Sequence, residues 1–109
     1  MSEHRQLVSS GGPYELIVGY SRAVRVGDRI FVAGTAPQWS DGHVDPSPTV
    51  QARRCFEIIE AALREAGATL ADVVRTRIFL VEAQDFDEIG AVHGELFAET
   101  RPANTTLVV

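Results

Sequence analysis

Apolar positions recur along this chain in two rhythms. Between Pro48 and Ala66 they fall three and four residues apart, at Ala52, Phe56, Ile59, Leu63 and Ala66, with Cys55 and Ala62 beside them. Arg53, Arg54, Glu57, Glu60, Arg64 and Glu65 take the other side, so the spacing predicts an amphipathic helix. Ser47 is placed to cap it, Pro48 suits its first turn and Gly67 its end. A second stripe, Phe86, Ile89, Val92, Leu96 and Phe97, predicts a helix from Phe86 to about Glu99. Asp85 is its expected cap, His93 lies at the border of its stripe, and Arg101-Pro102 stops it.

The other rhythm has a period of two. From Val73 to Val81, Val74, Thr76, Ile78 and Leu80 face one way, and Val73, Arg75, Arg77, Phe79 and Val81 the other. Two arginines among apolar neighbours mark a sheet face that meets water or a partner. Tyr20–Val26 and Arg29–Ala33 predict a hairpin turning at Gly27-Asp28, and Asn104–Val109 predicts a last strand. The first nineteen residues read as a short extended piece, Gln6 to Ser9, and a loop rich in Ser and Gly; Thr35–Pro46 reads as a second loop.

The order β-β-α-β-α-β predicts one α+β domain over residues 1–109, a two-layer sandwich with two helices on one face of a β-sheet. Each helix has a single apolar stripe, so the other sheet face needs cover from elsewhere. The area scaling gives roughly 17,000 Å² unfolded and roughly 6,000 Å² folded. That supports a core, with a modest margin that self-association would widen.

Composition narrows the function. Ten basic against fifteen acidic residues give a net charge of −5, which opposes a broad nucleic-acid surface. All the basic residues are Arg; without Lys there is no Schiff-base lysine and no Walker A loop. The single Cys allows neither an internal disulfide nor a cysteine metal cluster. His4, His43 and His93 lack metal spacing, and no Gly-rich nucleotide loop follows a strand. No metal and no cofactor are therefore expected. No apolar run has the length of a leader or a membrane span, so the expected setting is cytoplasmic, with no membrane partner.

GYSRAVRVGDRIFVAGTAP, QARRCFEIIEAALREAGATLADVV, RTRIFLVEAQDF and RPANTTLVV, in this order from about Tyr20 to Val109, resemble the RidA family. This is also the YjgF/YER057c/UK114 family, with members called L-PSP endoribonucleases. The preceding SSGGPYELIVGYSRAV is more like an outlying branch. The resemblance implies a chorismate-mutase-like fold, a homotrimer with sheets inward and helices outward, and small-molecule clefts between subunits. It implies hydrolysis of reactive enamines and imines such as 2-aminoacrylate.

By the same resemblance Tyr20 matches the family's cleft tyrosine and Gly34 the glycine of its second-strand motif, with Ala33 replacing a serine. The deaminases' carboxylate-gripping arginine falls on Asn104, a cleft asparagine falls on Gly90, and a late glutamate falls beyond Val109 with the family's last strand. An amide in place of a guanidinium suits a neutral carbonyl, amide or ring better than a free carboxylate. The expectation is thus a small-molecule site acting on a reactive C=N or C=O group, distinct from a standard 2-aminoacrylate deaminase. A binding or regulatory trimer without catalysis is the alternative; a ribonuclease fits the charge least.

Tyr20, Gly34 and Asn104 are the expected substrate contacts. Arg22, Arg75 and Arg77 are candidates for a displaced anion grip, against the plainer role of solvated or interface-paired arginines. His93 is the candidate acid/base, against a packed boundary histidine. Cys55 is expected to be inert, Glu95 and Glu99 solvated, and Trp39 a lid aromatic or a clamp for its loop.

Overall fold

The computed structural model describes residues 4–109. Met1, Ser2 and Glu3, the start of the segment expected to hold no leader, lie outside them. The chain runs β1 (Arg5–Val8), β2 (Ala23–Val26), β3 (Arg29–Val32), α1 (Pro48–Glu65), β4 (Arg75–Leu80), α2 (Phe86–Leu96) and β5 (Ala103–Val108). The two-layer α+β sandwich is as expected, with both helices on one side.

The strands form two sheets rather than one. β1, β2 and β3 are antiparallel, and β4 pairs in parallel with β5; no pairing joins the two sheets among the described residues. The predicted extended piece is therefore a full sheet member, with Val8 opposite Ala23 and Ala23 opposite Val32. The loop after it contains a wide helical turn at Glu15–Gly19, closed by the Tyr20 N–H donating to the Glu15 carbonyl at 2.9 Å. That bond, following Gly19 at φ +91°, keeps Tyr20 out of the predicted strand, which begins at Ala23.

Val8, Ala23, Ala62 and Ala66 form a buried cluster, with Ile30 and Val32 packed on it. Three of these are alanines, so α1 lies close to the antiparallel sheet. The Ser47 hydroxyl accepts from the Val50 N–H at 3.3 Å, capping α1 as its sequence predicts. Gly67 takes φ +93° just past the helix, as a C-terminal glycine does.

Two helix expectations are corrected. Asp85 occupies the cap position of α2, but its backbone is helical and its side chain makes no cap bond, because a 3₁₀ turn at Ala83–Asp85 already feeds the helix. α2 ends at Leu96, short of Glu99. Phe97 leaves helical geometry at φ −116°, and the Arg101 N–H closes a further turn on the Phe97 carbonyl at 2.9 Å.

The faces of β4 follow the predicted alternation. Thr76, Ile78 and Leu80 turn inward, while Arg75, Arg77 and Phe79 are exposed. On the outer sides of the two sheets Leu7, Phe31, Phe79 and Leu107 remain 50–62% exposed. The chain's accessible surface is 7654 Å², against about 5,900 Å² for a compact monomer of this mass. Among the described residues no helix is long and apolar enough to cross a membrane.

Candidate functional site

The residues expected at the site fall into three groups. The first surrounds Tyr20. Arg22 is fixed by its backbone, donating to Val8 at 2.8 Å and accepting from Ala33 at 2.9 Å. Its side chain is buried. Nη1 donates to the Gly34 carbonyl at 2.7 Å and to Thr35 Oγ1 at 3.1 Å, and Nη2 donates to the Tyr20 phenol oxygen at 3.2 Å. The guanidinium carbon also sits 5.4 Å from the Tyr20 ring centroid. Because the phenol oxygen accepts from Arg22, the Tyr20 proton is free to be donated outward.

Arg22 is balanced by a residue absent from the sequence expectations. Glu15 is buried in the wide turn, with Oε2 3.8 Å from Arg22 Nε, whose N–H has no hydrogen-bond acceptor among the described residues. The Glu15 carboxylate accepts from the Ser10 hydroxyl and from the Ser10 and Gly12 N–H groups. The Ser10 hydroxyl above all holds its pKa below the usual carboxylate range, against the opposing effect of burial. Arg22 is thus an internal strut for Tyr20, and the anion that faces it within the chain is Glu15. Gly34 contributes its carbonyl; a Cβ there would meet nothing within 4 Å among the described residues, so neither crowding by them nor backbone geometry requires glycine.

The second group joins α2 to the parallel sheet. His93 Nε2 lies 2.8 Å from Thr76 Oγ1, Asn104 Nδ2 donates to the same oxygen at 3.0 Å, and Thr106 Oγ1 donates to Asn104 Oδ1 at 2.8 Å. Thr76 and Asn104 are register partners, which is why one hydroxyl can serve both neighbours. The His93 ring packs against Phe56 and Phe97, with centroids 6.0 and 4.7 Å away. Burial lowers its pKa from the ordinary histidine value.

The third group is on the opposite side of β4. Arg75 Nη2 donates to Thr105 Oγ1 at 3.0 Å, and Arg77 is exposed. These arginines share a face with Phe79, and β4's alternation keeps them from Thr76, the partner of Asn104 and His93. No hydrogen bond among the described residues links the Tyr20 group with the Asn104 group.

Around these groups Trp39 stacks on His43, with ring centroids 4.7 Å apart, and His43 Nδ1 meets Asp41 Oδ1. Cys55 Sγ donates to the Thr35 carbonyl at 3.5 Å, and burial pushes its thiol pKa up. Arg53 pairs with Glu95 at 2.7 Å on the helix surface. Among the described residues no three His, Cys, Asp or Glu side chains gather in a way that could hold a metal.

The family profile described as Endoribonuclease L-PSP matches residues 13–109. The chain belongs to the RidA (YjgF/YER057c/UK114) family. A RutC family protein of Pyrococcus abyssi is 38% identical over 98 residues, covering 83% of this chain and 72% of the relative. The crystal structure of Rv2704 from Mycobacterium tuberculosis, described as a member of the same family, superposes with a TM-score of 0.88 at 43% identity, over 97% of this chain and 85% of that one. The crystal structure of the YjgF gene product of Escherichia coli gives a TM-score of 0.78 at 26% identity, over 94% and 80%.

Two residues of these groups in the RidA-family chain escaped the sequence. Glu15 is a lone acid in a Ser- and Gly-rich loop, and only the wide turn brings it to Arg22. Thr76 looked like one small residue in an alternating strand. The parity of β4 put it on the helix side, but nothing in the local pattern paired it with both Asn104 and His93.

Proposed function

We propose that the chain assembles as a trimer over the outer sheet faces and binds a small neutral metabolite where the rims of the seams reach the exposed Tyr20 and Asn104, hydrolysing a reactive C=N or C=O group there. The supporting observation is the apolar outer face of Leu7, Phe31, Phe79 and Leu107, on a chain exposing roughly 30% more surface than its mass requires. Burying such faces against sister copies is the economical remedy, and Arg75 and Arg77 are the charges a neighbouring copy would meet.

The chemistry offered is mostly neutral. Tyr20 supplies a phenol proton, and Asn104 supplies an amide with one N–H and one lone pair beyond its internal bonds. Such groups polarise a carbonyl or imine and position a water. Arg22 is committed to Glu15, Gly34 and Thr35, so it does not serve a substrate carboxylate, and 2-aminoacrylate is a poor fit. A reducing, cytoplasmic setting suits the Cys55 thiol.

A binder without turnover is favoured by one observation: the ring nitrogen that His93 turns toward Asn104 is already engaged by Thr76. The ribonuclease named in the family description is opposed by the net charge of −5.

Ammonia release from 2-aminoacrylate, measured on the wild type and on Asn104→Arg, tests the substrate assignment. Negligible wild-type release is expected, and rapid release overturns it. Sedimentation at micromolar protein tests the assembly; a lone, well-folded particle removes the seam and the proposed site with it.

A further inference from the structure

His93, Thr76, Asn104 and Thr106 form an unbranched chain of three hydrogen bonds running from α2 across β4 to β5. Two proton arrangements satisfy all of them. In the first, Thr106 donates to Asn104 Oδ1, Asn104 Nδ2 donates to Thr76, and Thr76 donates to a neutral His93 that carries its proton on Nδ1. In the second every bond is reversed. His93 Nε2–H donates to Thr76, Thr76 donates to Asn104 Oδ1, and Asn104 Nδ2 donates to Thr106. Passing between them needs two hydroxyl rotations and a half-turn of an amide whose ends have nearly the same shape. If Thr76 accepted from both neighbours instead, its own proton would have no acceptor among the described residues.

We propose that His93, acting through Thr76, sets which way round the Asn104 amide faces a ligand. Protonating the imidazole exchanges the positions of the donor and the acceptor that the site presents. The inference deepens the proposed function and rests on its placement of Asn104 against the ligand. His93 and Thr76 are positioning residues in this scheme.

Both arrangements leave Asn104 one free N–H and one free lone pair. The ligand edge that answers both is planar and neutral, with an acceptor beside a donor: a carboxamide, a lactam or a ureido group. A carboxylate offers only acceptors and sets one of them against the Asn104 oxygen. With the imidazole neutral, the edge is read in one direction; with the imidazolium, in the other.

The surroundings leave His93 as the group that titrates. Phe56 faces it from α1, Thr76 from β4 and Phe97 from beyond the end of α2, and none of these is charged near neutrality. Of the charged residues on the same elements, Arg53 of α1 is tied to Glu95 of α2, Arg54 pairs with Glu57 and Arg64 with Glu60 along α1, Glu65 ends α1, Asp87 and Glu88 stand in the first turn of α2, and Arg75 and Arg77 of β4 lie on the opposite face. β5 carries no ionisable side chain. Burial keeps the neutral ring dominant at neutral pH, so the reversal belongs to mildly acid conditions.

The test follows the His93 ring and the Asn104 amide in side-chain ¹H–¹⁵N spectra of the full chain, from about pH 8 to about pH 5, the histidine range. The expected result is an Nδ1-protonated ring at neutral pH and Asn104 resonances that shift with the His93 midpoint. Thr76→Val keeps the His93 titration and abolishes the Asn104 shift, and Thr76→Ser restores it. Asn104 resonances indifferent to the His93 midpoint, or still following it in Thr76→Val, overturn the relay. Propanamide and propanoate serve as probes in a second arm. Perturbation of the Asn104 amide by propanamide alone supports the ligand class. If neither probe perturbs it, the placement of Asn104 at the site fails, while the titration still decides the relay.

Discussion

The buried pair of Glu15 and Arg22 gives the sharpest test of how Tyr20 is held. At 3.8 Å, two unit charges at an effective dielectric of about 20 attract by about 4 kcal/mol. Taking both out of water cancels much of that. A coupling of about 1–3 kcal/mol between the two side chains is therefore expected. Arg22→Met removes the bonds to Gly34, Thr35 and Tyr20 and leaves a buried carboxylate unpaired; its cost should be about 3–5 kcal/mol. Glu15→Gln keeps an acceptor for Ser10 but loses the charge facing Arg22, and should cost about 2–3 kcal/mol. The double variant should be less damaged than the two costs added together. Urea unfolding followed by circular dichroism measures the cycle, at one fixed protomer concentration because association adds stability. Single-variant costs that add to within about 0.5 kcal/mol would mean the charges are not coupled, and the account of Arg22 as a strut balanced by Glu15 would fall.

Four other outcomes are expected. Gly67→Ala places a Cβ 2.7 Å from Arg25 Nη1 at φ +93° and disturbs the bond from that nitrogen to the Ala66 carbonyl; a loss of about 1–2 kcal/mol should appear as a lower urea midpoint. Arg101 has φ 50°, so Arg101→Gly should be neutral or stabilising by up to about 1 kcal/mol, and a clear loss in thermal unfolding would count against backbone strain there. Acid should weaken the fold in two stages. His93 is harder to protonate folded than unfolded, so its contribution is complete above the ordinary histidine value and declines as pH falls below it. Glu15 has a depressed pKa, so its contribution persists to lower pH and is lost as pH falls through that folded value; unfolding midpoints across pH, with His93→Gln and Glu15→Gln as comparisons, separate the two. Phe79 is 60% exposed, and burying the rest of such a ring at a seam is worth about 2–3 kcal/mol. Phe79→Asp should therefore shift sedimentation toward single chains, and unchanged sedimentation would place the contact elsewhere.

Much of the framework was legible because its signals are local. The stripe in α1 needs only its own spacing, and Ser47 and Gly67 act within one turn. The alternation of β4 assigned Arg77 and Phe79 to one face and Thr76 to the other without reference to the rest of the chain. The resemblance to the RidA family drew Tyr20 and Asn104 to attention, and the fold then gave each a different set of neighbours.

The sequence by itself determined the main helices and strands, the sidedness of each and a sheet face that the two helices leave uncovered. Those properties follow from helical and strand periodicity. Tertiary structure alone decided that residues 5–8 complete an antiparallel sheet and that Glu15 answers Arg22. It also decided that Arg75 and Arg77 lie across β4 from the partner of Asn104, and that Thr76 joins Asn104 to His93. Each of these is a choice of partner between segments distant in the chain. That choice depends on which buried polar groups find one another once the apolar faces have closed, and no spacing along the chain encodes it.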